Sequence, residues 1–230
     1  MNFGLSFERT NGMQSADGIP QIFDLQQFLS TFPLEEVKKD AFIYKPESSS
    51  DLVYFIEKGS VILGSYHSNG EEVISAILFK SQIFGEQGLT GSRNRDEFAQ
   101  AKEKTSIRIV PLNHLRKAML DNGALGISVN QLILKKLLVS QNKWKSQITD
   151  YARTRVIDFI IHLVENNGRR VGFEWSIDQF FPHREVASII GSSRQTVTVT
   201  LNELRNKNVI YFDRKRLIVR DLEQLKKEKF

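Results

Sequence analysis

Few side chains in this sequence are arranged to do covalent chemistry. There is no cysteine, which excludes disulfides, thiolate metal sites and cysteine-ligated iron–sulfur clusters. The four histidines, His67, His114, His162 and His183, lie far apart and show no ligand spacing. No metal and no cofactor is therefore expected. No nucleophile–base constellation stands out, nor a nucleotide loop with its supporting residues, so an enzyme is the least favoured class. One stretch carries a different chemistry. In EVASIIGSSRQTVTVTLNEL, residues 185–204, little more than Gly191, Ser192 and Ser193 separates two apolar-periodic segments, and the second opens with Arg194 and Gln195. A guanidinium can donate two hydrogen bonds to guanine O6 and N7, and a glutamine amide can pair with adenine N6 and N7. The hydroxyls of Ser193, Thr196 and Thr198 suit phosphate oxygens.

These side chains can read double-stranded DNA only if the second segment is a helix presented by its N-terminal turn. The flanking residues favour that. Gly191 tolerates positive φ at the turn. Ala187, four residues earlier, leaves room for two helices to cross closely, and Val186, Ile190 and Val197 supply apolar contacts between them. Ser193 can cap the second helix, predicted from Arg194 to about Asn206. Two short β runs follow, 209–212 and 217–219, around Asp213-Arg214-Lys215-Arg216. They predict a hairpin whose basic tip can rest on the DNA backbone as a wing. Arg214, Lys215 and Arg216, with His183, join the hydroxyls as expected phosphate contacts. The charge distribution agrees. Residues 1–140 carry 15 Lys and Arg against 16 Asp and Glu, whereas residues 141–230 carry 17 against 11, so the positive excess sits in the C-terminal part. A domain that meets a polyanion has this footprint, although a solvated basic face has the same composition.

The rest of the chain reads as the machinery that positions this element. With 40% hydrophobic and 26% charged residues the composition is that of a globular protein. MNFGLSFERTNGMQSADG has no basic region followed by an apolar core, so no signal peptide is expected, and a cytoplasmic location follows. Residues 1–20 read as a polar tail. Residues 21–112 read as a β-rich domain after one short helical pattern, FDLQQFLSTF; Asn69-Gly70 is its strongest hairpin signal. Residues 113–152 read as a long helical region, interrupted near Asn122-Gly123 and Gly126. Along it Leu134, Leu137, Gln141, Trp144, Ile148 and Tyr151 recur at spacings of three and four. That seam is either the core face of a domain or a surface that meets a copy of itself, and self-pairing is the stronger reading because no other helix of similar length can cover it. VENNGRRVG, residues 164–172, reads as a turn-rich connection, and residues 153–230 as the winged helix-turn-helix domain. The fold class is α+β.

The motifs together resemble the Crp/Fnr family of transcription regulators, the family of the catabolite activator protein. EVASIIGSSRQTVTVTLNELRNKNVI is similar to that family's helix-turn-helix signature. VYFIEKGSVIL resembles a strand pair of its β-roll, IFGEQGL resembles the start of its phosphate-binding cassette, and the seam helix resembles its dimerisation helix. The resemblance implies a cyclic-nucleotide-binding-like β-roll, a long dimerisation helix, and a homodimer on a palindromic DNA site. Two departures stand out. Where the family often has an arginine five positions after the first, this chain has Val199, so one base or phosphate contact is missing; Gln195 stands where the family often has glutamate. Where the family's nucleotide binders have an Arg-Ser or Arg-Thr pair for the cyclic phosphate, this chain reads Asp96-Glu97, which would repel a phosphate. Arg93 and Arg95 lie just before and could substitute if the loop is repositioned. Gly85 and Glu86 are either part of an effector pocket or a turn and a brace for the loop. Ser140 and Gln141 stand where the family's helix reaches its effector, and equally suit a polar step in the seam.

The expectation is a sequence-specific DNA-binding regulator that partners itself, and RNA polymerase if it activates. Its effector is not assigned, with cAMP disfavoured. The alternative is a cyclic-nucleotide-binding signalling module whose DNA domain is vestigial.

Overall fold

The computed structural model describes residues 23–178, 180–213 and 216–229. The expected tail over residues 1–20 and the wing residues Arg214 and Lys215 lie outside the described residues. A short helix, α1 (Phe23–Ser30), leads into β1 (Leu34–Val37), β2 (Phe42–Tyr44), β3 (Leu52–Lys58), β4 (Val61–Tyr66), β5 (Glu72–Leu78), β6 (Ile83–Phe84), a 3₁₀ turn over Glu86–Thr90, β7 (Phe98–Ala101) and β8 (Thr105–Pro111). Helices α2 (Leu112–Asp121), α3 (Gly123–Thr149) and α4 (Ala152–Asn167) follow. The chain ends in β9 (Arg169–Val171), β10 (Glu174–Ile177), α5 (His183–Ile190), α6 (Arg194–Asn206), β11 (Ile210–Phe212), β12 (Leu217–Val219) and α7 (Leu222–Lys227).

The first eight strands form two four-stranded antiparallel sheets, β1-β8-β3-β6 and β2-β7-β4-β5. They share a core: Tyr54, Ile56, Phe84 and Ile107 from one sheet meet Tyr44, Val61, Leu63 and Leu78 from the other. The outer face of the first sheet is covered by helices, with Val53 and Phe55 packing on Leu29, Leu115, Leu125 and Val129. Strand β3 is thus buried on both faces, which explains its unbroken apolar run, LVYFI. Strands β1 and β2 escape sequence reading because they are short, and their pairing partners β8 and β7 lie far along the chain.

The helical region contains two breaks. The first falls at Asn122, whose side chain caps α3 by accepting from Ala124 N and Leu125 N. Gly126, expected to share in that interruption, lies inside α3. A β-carbon there would stand 3.1 Å from the Met119 carbonyl oxygen, so the glycine serves the close crossing of α2 and α3. The second break, at Asp150 and Tyr151, separates α3 from α4. The turn-rich connection over 164–172 becomes the end of α4 and strand β9. Strand β10 pairs with β12 as well as β9, giving a third antiparallel sheet, β11-β12-β10-β9.

The C-terminal core is continuous with the outer face of the second sheet. Ile74, Ile77 and Phe79 belong to the same buried cluster as Val186, Ile190, Val197 and Leu201. The Phe79 ring meets His162 edge-on at 5.8 Å. Burial lowers the His162 pKa, so that this imidazole packs as a neutral ring at neutral pH.

Candidate nucleic-acid interface

Helix α5 stops because Gly191 turns into the left-handed region, at φ 63 and ψ 54. Arg155 of α4 then fixes the turn by donating from Nε to the Ile190 carbonyl and from Nη2 to the Gly191 carbonyl, both at 3.0 Å. Its Nη1 donates to the Asp150 carbonyl at 2.6 Å. One guanidinium thereby ties the α3–α4 break to the turn between α5 and α6. Ser193 caps α6 by accepting from Thr196 N at 3.0 Å, and the two hydroxyls lie 2.9 Å apart.

Helix α6 buries Val197, Thr200, Leu201 and Leu204. Its opposite face presents Arg194, Gln195 and Val199 to solvent, with Asn202 half-buried beside them. Among the described residues, no hydrogen bond or ion pair engages the side chains of Arg194 or Gln195. They stand free on a rigid platform.

The remaining expected DNA contacts divide. The Thr198 hydroxyl donates to the Arg194 carbonyl at 2.8 Å and lies 2.8 Å from His183 Nδ1. With that proton engaged, His183 donates from Nδ1. Burial and then the Arg194 charge lower the His183 pKa, which favours a neutral ring. His183 and Thr198 thus brace α5 against α6. Ser193 and Thr196 remain exposed and half-exposed at the helix start. In the wing, Arg216 is exposed and pairs with Asp213 at 3.5 Å.

Behind this element, the β-sheet domain grips α5. Lys102 Nζ meets Glu185 Oε2 at 2.5 Å and sits 5.3 Å from the centre of the Phe181 ring. Ser188 Oγ accepts from Ile74 N at 2.9 Å. A cavity of about 630 Å³ opens beside these contacts, between β5, α3, α4 and the end of α5. That volume suits a small organic ligand. Ser140 lines it, together with Glu97, Lys136, Lys143, Phe159 and Ile190.

The other expected effector residues lie elsewhere. Arg93 is exposed. Gln141 is exposed on the outer side of α3, in the seam. Arg95, expected as a substitute phosphate ligand, is 1% exposed and points into the protein. Its Nη1 donates to the Gly85 carbonyl at 2.7 Å, its Nη2 to the Leu52 carbonyl, and its guanidinium lies 4.3 Å from the centre of the Tyr44 ring. Gly85 adopts φ 75, and a β-carbon there would stand 2.8 Å from Arg95 Nη1. Glu86 pairs with Lys136 of α3 at 2.7 Å. Gly85 thus makes the turn at the start of this loop, and Glu86 ties the loop to α3. Tyr44 donates to Glu97 Oε1 at 3.1 Å. Burial raises the pKa of both groups, and the neighbouring Glu97 pushes the phenol further up.

This geometry predicts the outcome of Arg95→Met. The Gly85 and Leu52 carbonyls lose a donor and a ring loses its cation, together worth about 3 kcal/mol. The melting temperature should fall by about 10 °C without any ligand present. A ligand-free variant melting with the parent would return Arg95 to the effector set.

The seam residues lie on the other side of α3 from the cavity. Leu134, Leu137, Trp144 and Ile148 are 54%, 49%, 68% and 68% exposed in the single protomer, and Tyr151, at the break, is 86% exposed. The contacts of Arg155, Lys102 and Ser188 were not singled out in the sequence. A helix phase would have found Val199 and Asn202, four and seven residues after Gln195.

Residues 154–228 match the Crp-like helix-turn-helix domain family, and residues 34–122 match the Cyclic nucleotide-binding domain family. The Global nitrogen regulator of Synechococcus elongatus is 27% identical over 188 residues, covering 81% of this chain and 85% of that protein. The Anaerobic regulatory protein of Bacillus subtilis is 22% identical, covering 84% and 80%. Among solved structures, FixK2 from Bradyrhizobium japonicum aligns with a TM-score of 0.74 at 19% identity, covering 85% of this chain and 96% of that one. A CRP/FNR-family transcriptional regulator from Thermus thermophilus aligns at 0.71 and 22% identity, covering 85% and 97%. At these identities the structural likeness speaks to the fold.

Proposed function

Because this chain belongs to the Crp/Fnr family of transcription regulators, we propose that it binds a palindromic DNA site as a homodimer through α6. Arg194 reads guanine and Gln195 reads adenine in each half-site. Ser193, Thr196 and the basic wing residues Arg214, Lys215 and Arg216 hold the backbone. Two copies of α3, with the break that follows it, pair along Leu134, Leu137, Gln141, Trp144, Ile148 and Tyr151. The observation that carries this reading is the pair of unengaged polar side chains at the start of a capped helix whose opposite face is core. A vestigial DNA element does not fit a turn this fully braced, and the helix-turn-helix match runs over residues 154–228.

The β-sheet domain acts as a sensor, through the cavity and its contacts with α5. A ligand that favours one setting of α5 and α6 shifts the population competent for DNA. Glu97 on the cavity wall, and the inward turn of Arg95, disfavour a cyclic phosphate there. The protein works in the cytoplasm, with RNA polymerase as a further partner if it activates. Among the described residues no helix is long and apolar enough to cross a membrane.

The test is selection from a randomised duplex library at physiological salt, with and without a protein-free cell extract. A palindrome enriched in either arm supports the reading. Enrichment without extract means that DNA competence needs no added ligand. Only weak, salt-sensitive binding in both arms would refute it.

A further inference from the structure

Val199 is the apolar member of the exposed α6 face. It is 50% exposed, in a helix whose other large aliphatic side chains, Val197, Leu201 and Leu204, are buried. A β-branched residue at an exposed helix position lowers helix propensity, and here it gains little burial in exchange. Its position gives it a use. Four residues after Gln195, it lies just over one helical turn further along the same face, about 6 Å away along the axis. Base pairs stack about 3.4 Å apart along each strand. A helix that brings Gln195 to one base edge therefore brings Val199 within about two base pairs of it. The hydroxyl beside it is otherwise engaged: Thr198 donates to the Arg194 carbonyl and contacts His183. What Val199 offers the groove is a stiff pair of methyl groups, held at a fixed χ1 by the branched Cβ.

The major groove presents one apolar group on a base edge, the 5-methyl of thymine. We infer that Val199 is a specificity-determining residue that reads a thymine methyl, within about two base pairs of the adenine read by Gln195. This rests on the proposed DNA reading. It means that the position without an arginine carries a different base preference rather than a lost contact.

The test uses the full chain and the palindrome obtained by selection. Each thymine is replaced in turn by uracil, symmetrically in both half-sites, which removes the methyl and leaves every hydrogen-bonding group in place. Burying one methyl is worth about fourfold in affinity, so the two half-sites together should lose about 15-fold at one thymine position. The same substitution should cost Val199→Ala less than twofold. This variant shortens a half-exposed side chain and raises helix propensity, so it keeps the fold. Comparing protein and DNA changes together isolates this contact from other methyl contacts. An enriched site at which uracil costs nothing, or costs Val199→Ala as much as the parent, overturns this inference alone. Selection without any enriched site overturns it together with the reading beneath it.

Discussion

Arg194→Ala is expected to lower affinity for the selected palindrome about 100-fold, while salt-dependent binding to random DNA stays within a few-fold of the parent. A bidentate contact to guanine is worth about tenfold per half-site, and a symmetric dimer loses two of them. The guanidinium is exposed and makes no ion pair among the described residues, so its removal disturbs no fold contact. Alanine is also the best helix former at the start of α6. Melting should therefore be unchanged within about 0.5 kcal/mol. The measurement is binding to specific and random duplexes across a salt series. A base contact leaves the slope of log affinity against log salt unchanged on random DNA, whereas a phosphate contact reduces it. Equal loss on both duplexes would move Arg194 to the backbone set and leave base reading to Gln195 and Val199.

Leu137→Glu should have the larger effect, through assembly. Leu137 is 49% exposed in the single protomer, so the substitution leaves the protomer core intact. In the proposed dimer it would set a carboxylate against its own copy, in a seam of Leu134, Trp144 and Ile148. Like charges facing each other in an apolar helix interface oppose pairing. Sedimentation should show a monomer at micromolar concentration where the parent is a dimer. One protomer then holds one half-site, and halving the binding free energy costs about a thousandfold or more in affinity. A Leu137→Glu chain that sediments as a dimer, or a parent that sediments as a monomer, would refute the seam.

These two residues differ in how they could be recognised. Arg194 follows from local rules: a glycine at positive φ, a serine cap two residues on, and buried positions at Val197, Leu201 and Leu204 set the phase of the helix. Leu137 follows from the three-and-four spacing of the seam, and its exposure on a lone protomer agrees with a surface awaiting a partner. Both signals lie within a few turns of chain. Where the determining contacts are longer-range, the sequence is silent or ambiguous. Strands β1 and β2 are short, and only pairing with distant segments makes them strands. Gly126 carries the composition of a helix break, yet it lies inside α3, where the close approach of Met119 leaves little room for a β-carbon.

The sequence by itself determined the helix-turn-helix, the exposed polar residues that open its second helix, the apolar spacing along α3 and the α+β order of elements. These depend on periodicity, caps and turns, which act between residues a few positions apart. Only the tertiary structure decided what the charged and polar residues of the sensor domain do. Arg95 could as well have faced a ligand. It faces inward because Leu52, Gly85 and Tyr44, brought from three separate segments, offer it two carbonyls and an aromatic face. Ser140 and Gln141 are neighbours in sequence, yet one lines the cavity and the other lies in the seam, because consecutive helical residues point about 100° apart. A charged side chain is stable wherever its desolvation is matched by partners, and partners so distant in the chain exist only once it has folded.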